Sequence, residues 1–377
     1  MTATATATRK GSRRSGGGLT LSTTELRQAL ADVAPAVPTR PAKPILTGVL
    51  IADGRITATD LELQISVEID YAGEPIVLPH ARLTAIIREA RSDEVSLKPD
   101  GTSCVVRAGR GEWRLPVESA AEWPAWTPGD AKSLVRIPCD QFARSVRGCV
   151  YATDNDSSRY ALGAVLVEVS GGDCSLVATD GRRLSHVRVE HDQAVDDGTA
   201  LVPARVLASL AAVAGRHGDE AVQLEATDAD IVATLPGCVV TARQIQGRFP
   251  RWRDVLPTDR AGAIETVVDR GELLAATRAA AIVTSEQSKG VEFTFGESGV
   301  TLHGQSAEYG QSDVTIDVVS GGDAVRVKLD PAFVVEWLRG LSSEDDPNVT
   351  VELVDAQSAC VLRCDDCTGV IMPLSND

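Results

Sequence analysis

The spacing of apolar positions along the chain switches repeatedly between a helical and a strand period, and the switches recur in the same order. Thr24-Glu25-Leu26-Arg27-Gln28-Ala29-Leu30 sets apolar side chains three and four residues apart behind a residue able to cap a helix start. Asp140–Val146 and Asp269–Ala276 read the same way. A second kind of helix opens at a proline: PHARLTAIIREAR from Pro79, PARVLASLAAVAG from Pro203 and PAFVVEWLRGL from Pro331. Proline suits a first helical turn, where its missing N–H would have had no partner. Between the helices, strict alternation predicts strands, as in Val165–Val169, Val314–Val318 and Val349–Leu353.

Helix, strands, helix, strands thus occurs three times, near residues 19–135, 136–260 and 261–377. A short identity supports a true repeat. Ala58-Thr59-Asp60 returns as Ala178-Thr179-Asp180, each after a β-rich run and before another alternating segment. In the third copy GQSAEYG (304–310) stands in its place. The predicted class is α+β, as three tandem copies of a domain with two helices packed on antiparallel sheets. Three unrelated α+β domains are the alternative, disfavoured by the shared order.

Composition narrows the function. The 377 residues carry a formal charge of −16, with 43% apolar and 24% charged residues, as in an ordinary globular protein. No apolar run approaches the roughly 20 residues a membrane helix needs, so no membrane partner is expected. Residues 1–18 hold Arg9, Lys10, Arg13 and Arg14, no acid and no apolar stretch; they read as a disordered basic tail rather than a signal peptide. The eight cysteines are scattered, which predicts reduced thiols in a cytoplasmic protein. Cys364-Asp-Asp-Cys367 is a lone CxxC without a second ligand pair, so neither metal nor cofactor is expected. No GxxxxGK[ST], GxSxG or HExxH occurs, and none of the five histidines sits in a nucleophile or metal pattern, so no catalytic residues are predicted. The helical windows are less acidic than the rest: Arg82, Arg88 and Arg91 accompany only Glu89, and Arg144 and Arg147 lie one turn apart. Such faces could meet phosphates; a plain solvated helix face is the alternative.

Several stretches together resemble one family. LVATDGRRLSHV (176–187), GRFPRWRDVLP (247–257), RPAKPIL (40–46) followed by ATDLE (58–62), RYAL (159–162) and VIMPL (370–374) are similar, in order along the chain, to signatures of the bacterial sliding clamp, the β subunit of DNA polymerase III. The resemblance implies a homodimeric ring, each chain forming half, with helices lining a hole that holds duplex DNA and sheets outside. It implies a non-catalytic processivity factor, filed with DNA-directed DNA polymerases only through the holoenzyme. Its partners would be double-stranded DNA, held by topology without sequence reading, and the polymerase III α subunit and clamp loader, held by short linear motifs.

Carried over residue by residue, the resemblance assigns DNA contacts to Arg40, Arg82, Tyr160 and Arg205. It assigns a partner-peptide pocket to Leu162, Thr179, Gly181, Arg183, Leu184, Pro250, Val255, Val370, Met372, Pro373 and Leu374. It assigns the dimer interface to Trp113 with Leu115 and, on the opposite edge, Ile282 with Val283. Two features depart from the family pattern, and a third bears on the DNA path. Asp254 stands where the family often has a basic residue, the chain ends Ser375-Asn376-Asp377, and the loop Asp154–Ser158 is acidic for a place beside DNA. The first two leave open a clamp paralogue with an altered pocket, serving repair, mobile-element replication or resistance to a clamp-directed inhibitor.

Overall fold

The computed structural model describes residues 19–154, 160–191, 193–194, 196–218, 220–256, 262–285, 290–342 and 346–374. The basic tail 1–18, loop residues Asn155–Ser158 and the terminal Ser375–Asp377 lie outside them. The chain forms two compact units, one up to Ala125 and one from Trp126 onward.

Six α-helices occur among the described residues: α1 (Thr23–Val33) and α2 (His80–Glu89) in the first unit, α3 (Cys139–Val150), α4 (Ala204–Ala214), α5 (Arg270–Ala280) and α6 (Pro331–Gly340) in the second. They pack in pairs, α1 on α2, α3 on α4 and α5 on α6. None is long and apolar enough to cross a membrane. The helix starts differ in detail from the sequence reading. Ser22, rather than Thr24, caps α1, accepting a hydrogen bond from the Glu25 N–H at 3.3 Å. Asp140 lies inside the first turn of α3, after Pro138. Asp269 caps α5 as expected, at 2.8 Å from the Glu272 N–H. Of the three prolines, only Pro331 occupies the first helical turn. Pro79 and Pro203 end the preceding strands with extended ψ of 113° and 135°, and the helix begins one residue later. A proline fits there for the same reason, since no N–H is required of it.

In the first unit, Leu19–Ser22, Glu94–Asp100, Ser103–Ala108 and Gly111–Pro116 form one antiparallel sheet in that order, and Leu63–Glu68, Arg55–Thr59, Gly48–Ala52 and Ile76–Pro79 run side by side in another. In the second unit, Lys132–Pro138, Ala221–Ala226, Asp230–Leu235 and Cys238–Arg243 are neighbours. Gly310–Ile316, Gly299–Ser306, Val291–Gly296 and Val325–Leu329 form a four-stranded sheet.

The remaining sheet joins the second and third repeats. Its order is Gly198–Pro203, Ala164–Ser170, Asp173–Thr179, Arg183–Val189, Cys367–Ile371, Cys360–Cys364, Asn348–Leu353, Ile264–Asp269. The seam is an antiparallel ladder in which Leu184 faces Val370, Ser185 faces Gly369 and Val187 faces Cys367. On the helix side, the Ser185 hydroxyl donates to the Gly148 carbonyl of α3 at 2.6 Å. Trp337 of α6 lies so close over Gly369 that a Cβ there would stand 2.5 Å from its indole ring. The third-repeat core fills the space around Trp337 with Phe293, Phe295, Leu353 and Leu362.

The Thr-Asp identity of the first two repeats is a turn. In each, the threonine hydroxyl accepts the N–H two residues on, from Leu61 at 3.0 Å and from Gly181 at 3.1 Å. The aspartate accepts the next two, from Glu62 and Leu63 at 2.9 and 2.7 Å, and from Arg182 and Arg183 at 2.8 and 3.0 Å. The residue after the aspartate takes positive φ, 87° at Gly181 and 78° at Leu61. GQSAEYG also turns between strands, with Ser306 Oγ accepting from the Tyr309 N–H at 2.9 Å.

Candidate functional site

On the sheet face opposite α3 and α6, the seam carries an apolar surface. Alternation sends Leu184 to this face and Val370 beside it, together with Ala164, Leu166, Val177, Leu201 and Val361. The irregular segment after Arg243 lies on it: Trp252 is buried in the cluster, and Ile245, Phe249 and Leu256 pack at its margin. Gly247 lies close to Ala161, 3.7 Å from where its Cβ would be, which brings the segment against the short turn Tyr160–Gly163.

Trp252 is held by a polar cluster. Its indole N–H donates to Glu168 at 3.2 Å. Arg253 pairs with the same carboxylate at 2.7 Å and stacks on the indole at 4.2 Å. His186 also lies against the indole, centroids 4.7 Å apart, and its Nε2 is 3.0 Å from Ser175 Oγ. Burial pulls the His186 pKa down to about 4, with the Arg253 charge adding to that direction and Glu168 opposing it. An open cleft of about 530 Å³ runs along this segment beside Leu166, Glu168 and Leu201.

The eleven expected pocket residues divide by place. Leu184 and Val370 form the apolar floor, and buried Thr179 stands opposite Leu184 in the ladder. Leu162 is buried in its turn. Pro250 and Val255 stand exposed on the irregular segment, Val255 at 43%, and Met372 is exposed at 45% just beyond the seam strand. The Met372 N–H donates to the Arg182 carbonyl at 2.9 Å, so its backbone extends the ladder by one bond. Gly181 supplies the turn. Pro373 is half-buried, and the Leu374 N–H donates to the Lys328 carbonyl at 2.8 Å, which carries the chain toward the four-stranded sheet of the third repeat. Arg183 points to the helix side, away from Leu184. Asp254 is exposed.

Trp252, Glu168, His186 and Phe249 were not picked out from the sequence. Trp252 and Phe249 lie inside the GRFPRWRDVLP stretch, and an aromatic in an irregular, Gly- and Pro-containing segment was the available signal. Glu168 and His186 are alternating strand residues whose importance depends on contacts across the sheet.

Models of the DNA polymerase III beta subunit match the chain in three consecutive pieces: the N-terminal domain over residues 18–127, the central domain over 136–251 and the C-terminal domain over 253–375. The chain belongs to the DNA polymerase III β subunit, or β sliding clamp, family. The beta sliding clamp of Haemophilus influenzae is 26% identical over 367 residues, covering 94% of this chain and 98% of that protein. That of Escherichia coli K12 is 26% identical over 347 residues, covering 89% and 93%. A crystal structure of the Pseudomonas aeruginosa sliding clamp bound to griselimycin superposes with a TM-score of 0.87 at 25% identity, covering 96% of this chain and all of that one. Clamp-family proteins are non-catalytic processivity factors, and the three repeats here are three clamp domains.

The other expected clamp positions fall as follows. Arg40, Arg82 on α2 and Arg205 on α4 are exposed. Tyr160 opens its short turn; its side chain lies outside what is described. Trp113, half-buried with its ring over Gly111, and buried Leu115 lie on Gly111–Pro116, an edge strand of the first unit. Ile282, exposed at 78%, and half-buried Val283 lie in a short turn after α5, packed near the edge strand Gly310–Ile316. Cys364 and Cys367 face each other across a two-residue hairpin, all eight thiols are free, and among the described residues no group of three or more His, Cys, Asp or Glu could hold a metal.

Proposed function

We propose that this chain acts as a DNA sliding clamp: a homodimeric ring around duplex DNA that tethers a replicative polymerase through a short peptide bound on the seam of the central and C-terminal domains. The observation that carries the reading is the apolar seam: Leu184 and Val370 are buried in its cluster with Trp252, Val255 and Met372 stand exposed beside it, and an open cleft runs along residues 244–254. Apolar side chains such as Val255 and Met372, left exposed beside an apolar cluster, are what a hydrophobic peptide anchor needs. Tethering acts through effective concentration: a polymerase that lets go is recaptured before it diffuses away.

Ring closure would pair the free edge of Gly111–Pro116 with that of Gly310–Ile316 in a second copy. Exposed edges of this kind invite another strand. The contact is head-to-tail, and two copies close it. Arg40, Arg82, Arg205 and Tyr160 would line the DNA path, touching phosphates without reading bases. A chain of net charge −16 can serve DNA in this way because topology, rather than affinity, retains the ring. No cofactor is required, and the site of action is the cytoplasm. The polymerase III α subunit and the clamp loader are the expected peptide donors. One observation favours a second reading, a paralogue with altered peptide preference: Asp254 places an exposed carboxylate on the groove's irregular wall, where it repels acidic peptides.

Light scattering with and without a peptide ending in Leu-Phe tests both readings. A mass near twice 39.7 kDa with peptide binding that is lost in Leu184→Ala/Met372→Ala supports the clamp. A dimer indifferent to that peptide supports the paralogue. A monomer at every concentration overturns the ring.

A further inference from the structure

The family resemblance implies a place for Arg183 in the peptide pocket, yet its guanidinium is engaged elsewhere. It is only 10% exposed and lies on the helix side of the sheet. Nε donates to Asp180 at 3.0 Å, and one terminal nitrogen donates to the Tyr151 carbonyl at 2.7 Å, at the C-terminal end of α3. The other pairs with Glu336 of α6. The guanidinium carbon also lies over two aromatic rings, 4.4 Å from the Phe333 centroid and 5.3 Å from that of Tyr151. A cation at the end of α3 is also favoured by the helix dipole.

This clamp bears on the groove through the backbone. Asp180, which receives Arg183 Nε, also receives the Arg182 and Arg183 N–H groups and so shapes the turn. The next carbonyl, Arg182, accepts the Met372 N–H at 2.9 Å. Arg182 itself reaches over Phe333 at 5.6 Å. A chain of direct contacts therefore runs from α6 through Arg183 and the turn to the residue whose side chain stands exposed on the groove rim.

We infer that Arg183 is a positioning residue: anchored to α3 and α6, it holds the 180–183 turn and Met372 in the arrangement that receives the peptide, without touching the peptide. The inference rests on the peptide-groove reading above. Lysine cannot replace it, because an ammonium lacks the planar fork that meets three acceptors at once while lying over aromatic rings.

The test compares Arg183→Lys, Glu336→Gln and the double variant in the full-length chain. Peptide affinity is measured with a labelled peptide ending in Leu-Phe, and amide exchange is followed at Met372. Glu336 lies across the sheet from the groove, so it reports on the clamp alone. Each single variant is expected to speed exchange at Met372 and to weaken the peptide about tenfold, and the double variant to lose no more than either single one, as coupled residues do. Loss of affinity in Arg183→Lys with none in Glu336→Gln would make Arg183 a direct peptide contact and overturn the proposal. Faster exchange with unchanged affinity would overturn it too, as would unchanged exchange in both variants. Should Arg183→Lys not fold, Glu336→Gln decides alone, since its carboxylate is 45% exposed. A wild-type chain that ignores the peptide is the paralogue's outcome, and exchange at Met372 then decides alone, unchanged exchange in both variants overturning the proposal.

Discussion

Thr179 and Asp180 show how little of a residue's job is visible from its identity. The repeat of Ala-Thr-Asp at 58 and 178 was plain in the sequence, but its meaning was not. Both side chains spend their acceptors on backbone N–H groups that converge only once the following residue adopts positive φ. Glycine at 181 adopts it freely; leucine at 61 does so against steric preference. His186 makes the same point with a measurable consequence. Its pKa stands near 4 in the folded chain against 6.5 for an ordinary histidine. Between those values the unfolded chain takes up a proton that the folded chain refuses, so the stability it permits is intact above pH 6.5 and declines as the pH falls toward 4. His186→Gln, which keeps a partner for Ser175 and removes the titration, is expected to flatten that decline. Urea unfolding midpoints of both proteins at pH 7 and pH 4.5 check it; equal slopes would exclude His186 as the source.

Among elements, the helices were the most legible. Their apolar stripes recur every three to four residues, and all six predicted helices form, with starts displaced by one residue at α2 and α4, where proline ends the preceding strand. Strand pairing was less legible, because alternation names a strand's two faces but not its neighbour. That Arg183–Val189 would lie beside Cys367–Ile371, 180 residues on, could come only from the family resemblance. The same limit explains Arg183: alternation would have put it opposite Leu184, had the burial side of that strand been known. The close fit of α6 on the seam carries its own prediction. Gly369→Ala would drive a Cβ to 2.5 Å from the Trp337 indole, and the sheet and helix cannot both stay in place. Overpacking of this kind costs about 1–3 kcal/mol. Thermal unfolding with Gly369→Ala should therefore occur at a clearly lower midpoint; an unchanged midpoint would mean that α6 moves freely against the sheet.

At the scale of the molecule, the sequence divides into three similar repeats, but the hydrogen bonds do not respect that division. One eight-stranded sheet runs through the central and C-terminal domains without a break. A disturbance deep in one should therefore be felt in the other. Leu362→Ala, in the C-terminal core, should cost about 2–5 kcal/mol. Native-state hydrogen exchange is expected to show protection falling by the same free energy in Asp173–Thr179 as in Cys360–Cys364, because both belong to one cooperative unit. Loss confined to the C-terminal strands would show that the seam opens independently.

The groove on that seam has two unlike walls. One is the end of two paired inner strands and a tight turn, set by a ladder from Leu184–Val370 to Met372. The other, Ile245–Leu256, has no ladder and is pinned by side chains around Trp252. Substitutions on the first wall disturb backbone pairing that the whole sheet depends on, while exposed positions on the second, such as Pro250, Asp254 and Val255, can change at little cost to folding. Heritable change in what the groove recognises is thus channelled to a dozen irregular residues, and a library selected for a new peptide should gather its winning mutations there, leaving the paired wall as it was.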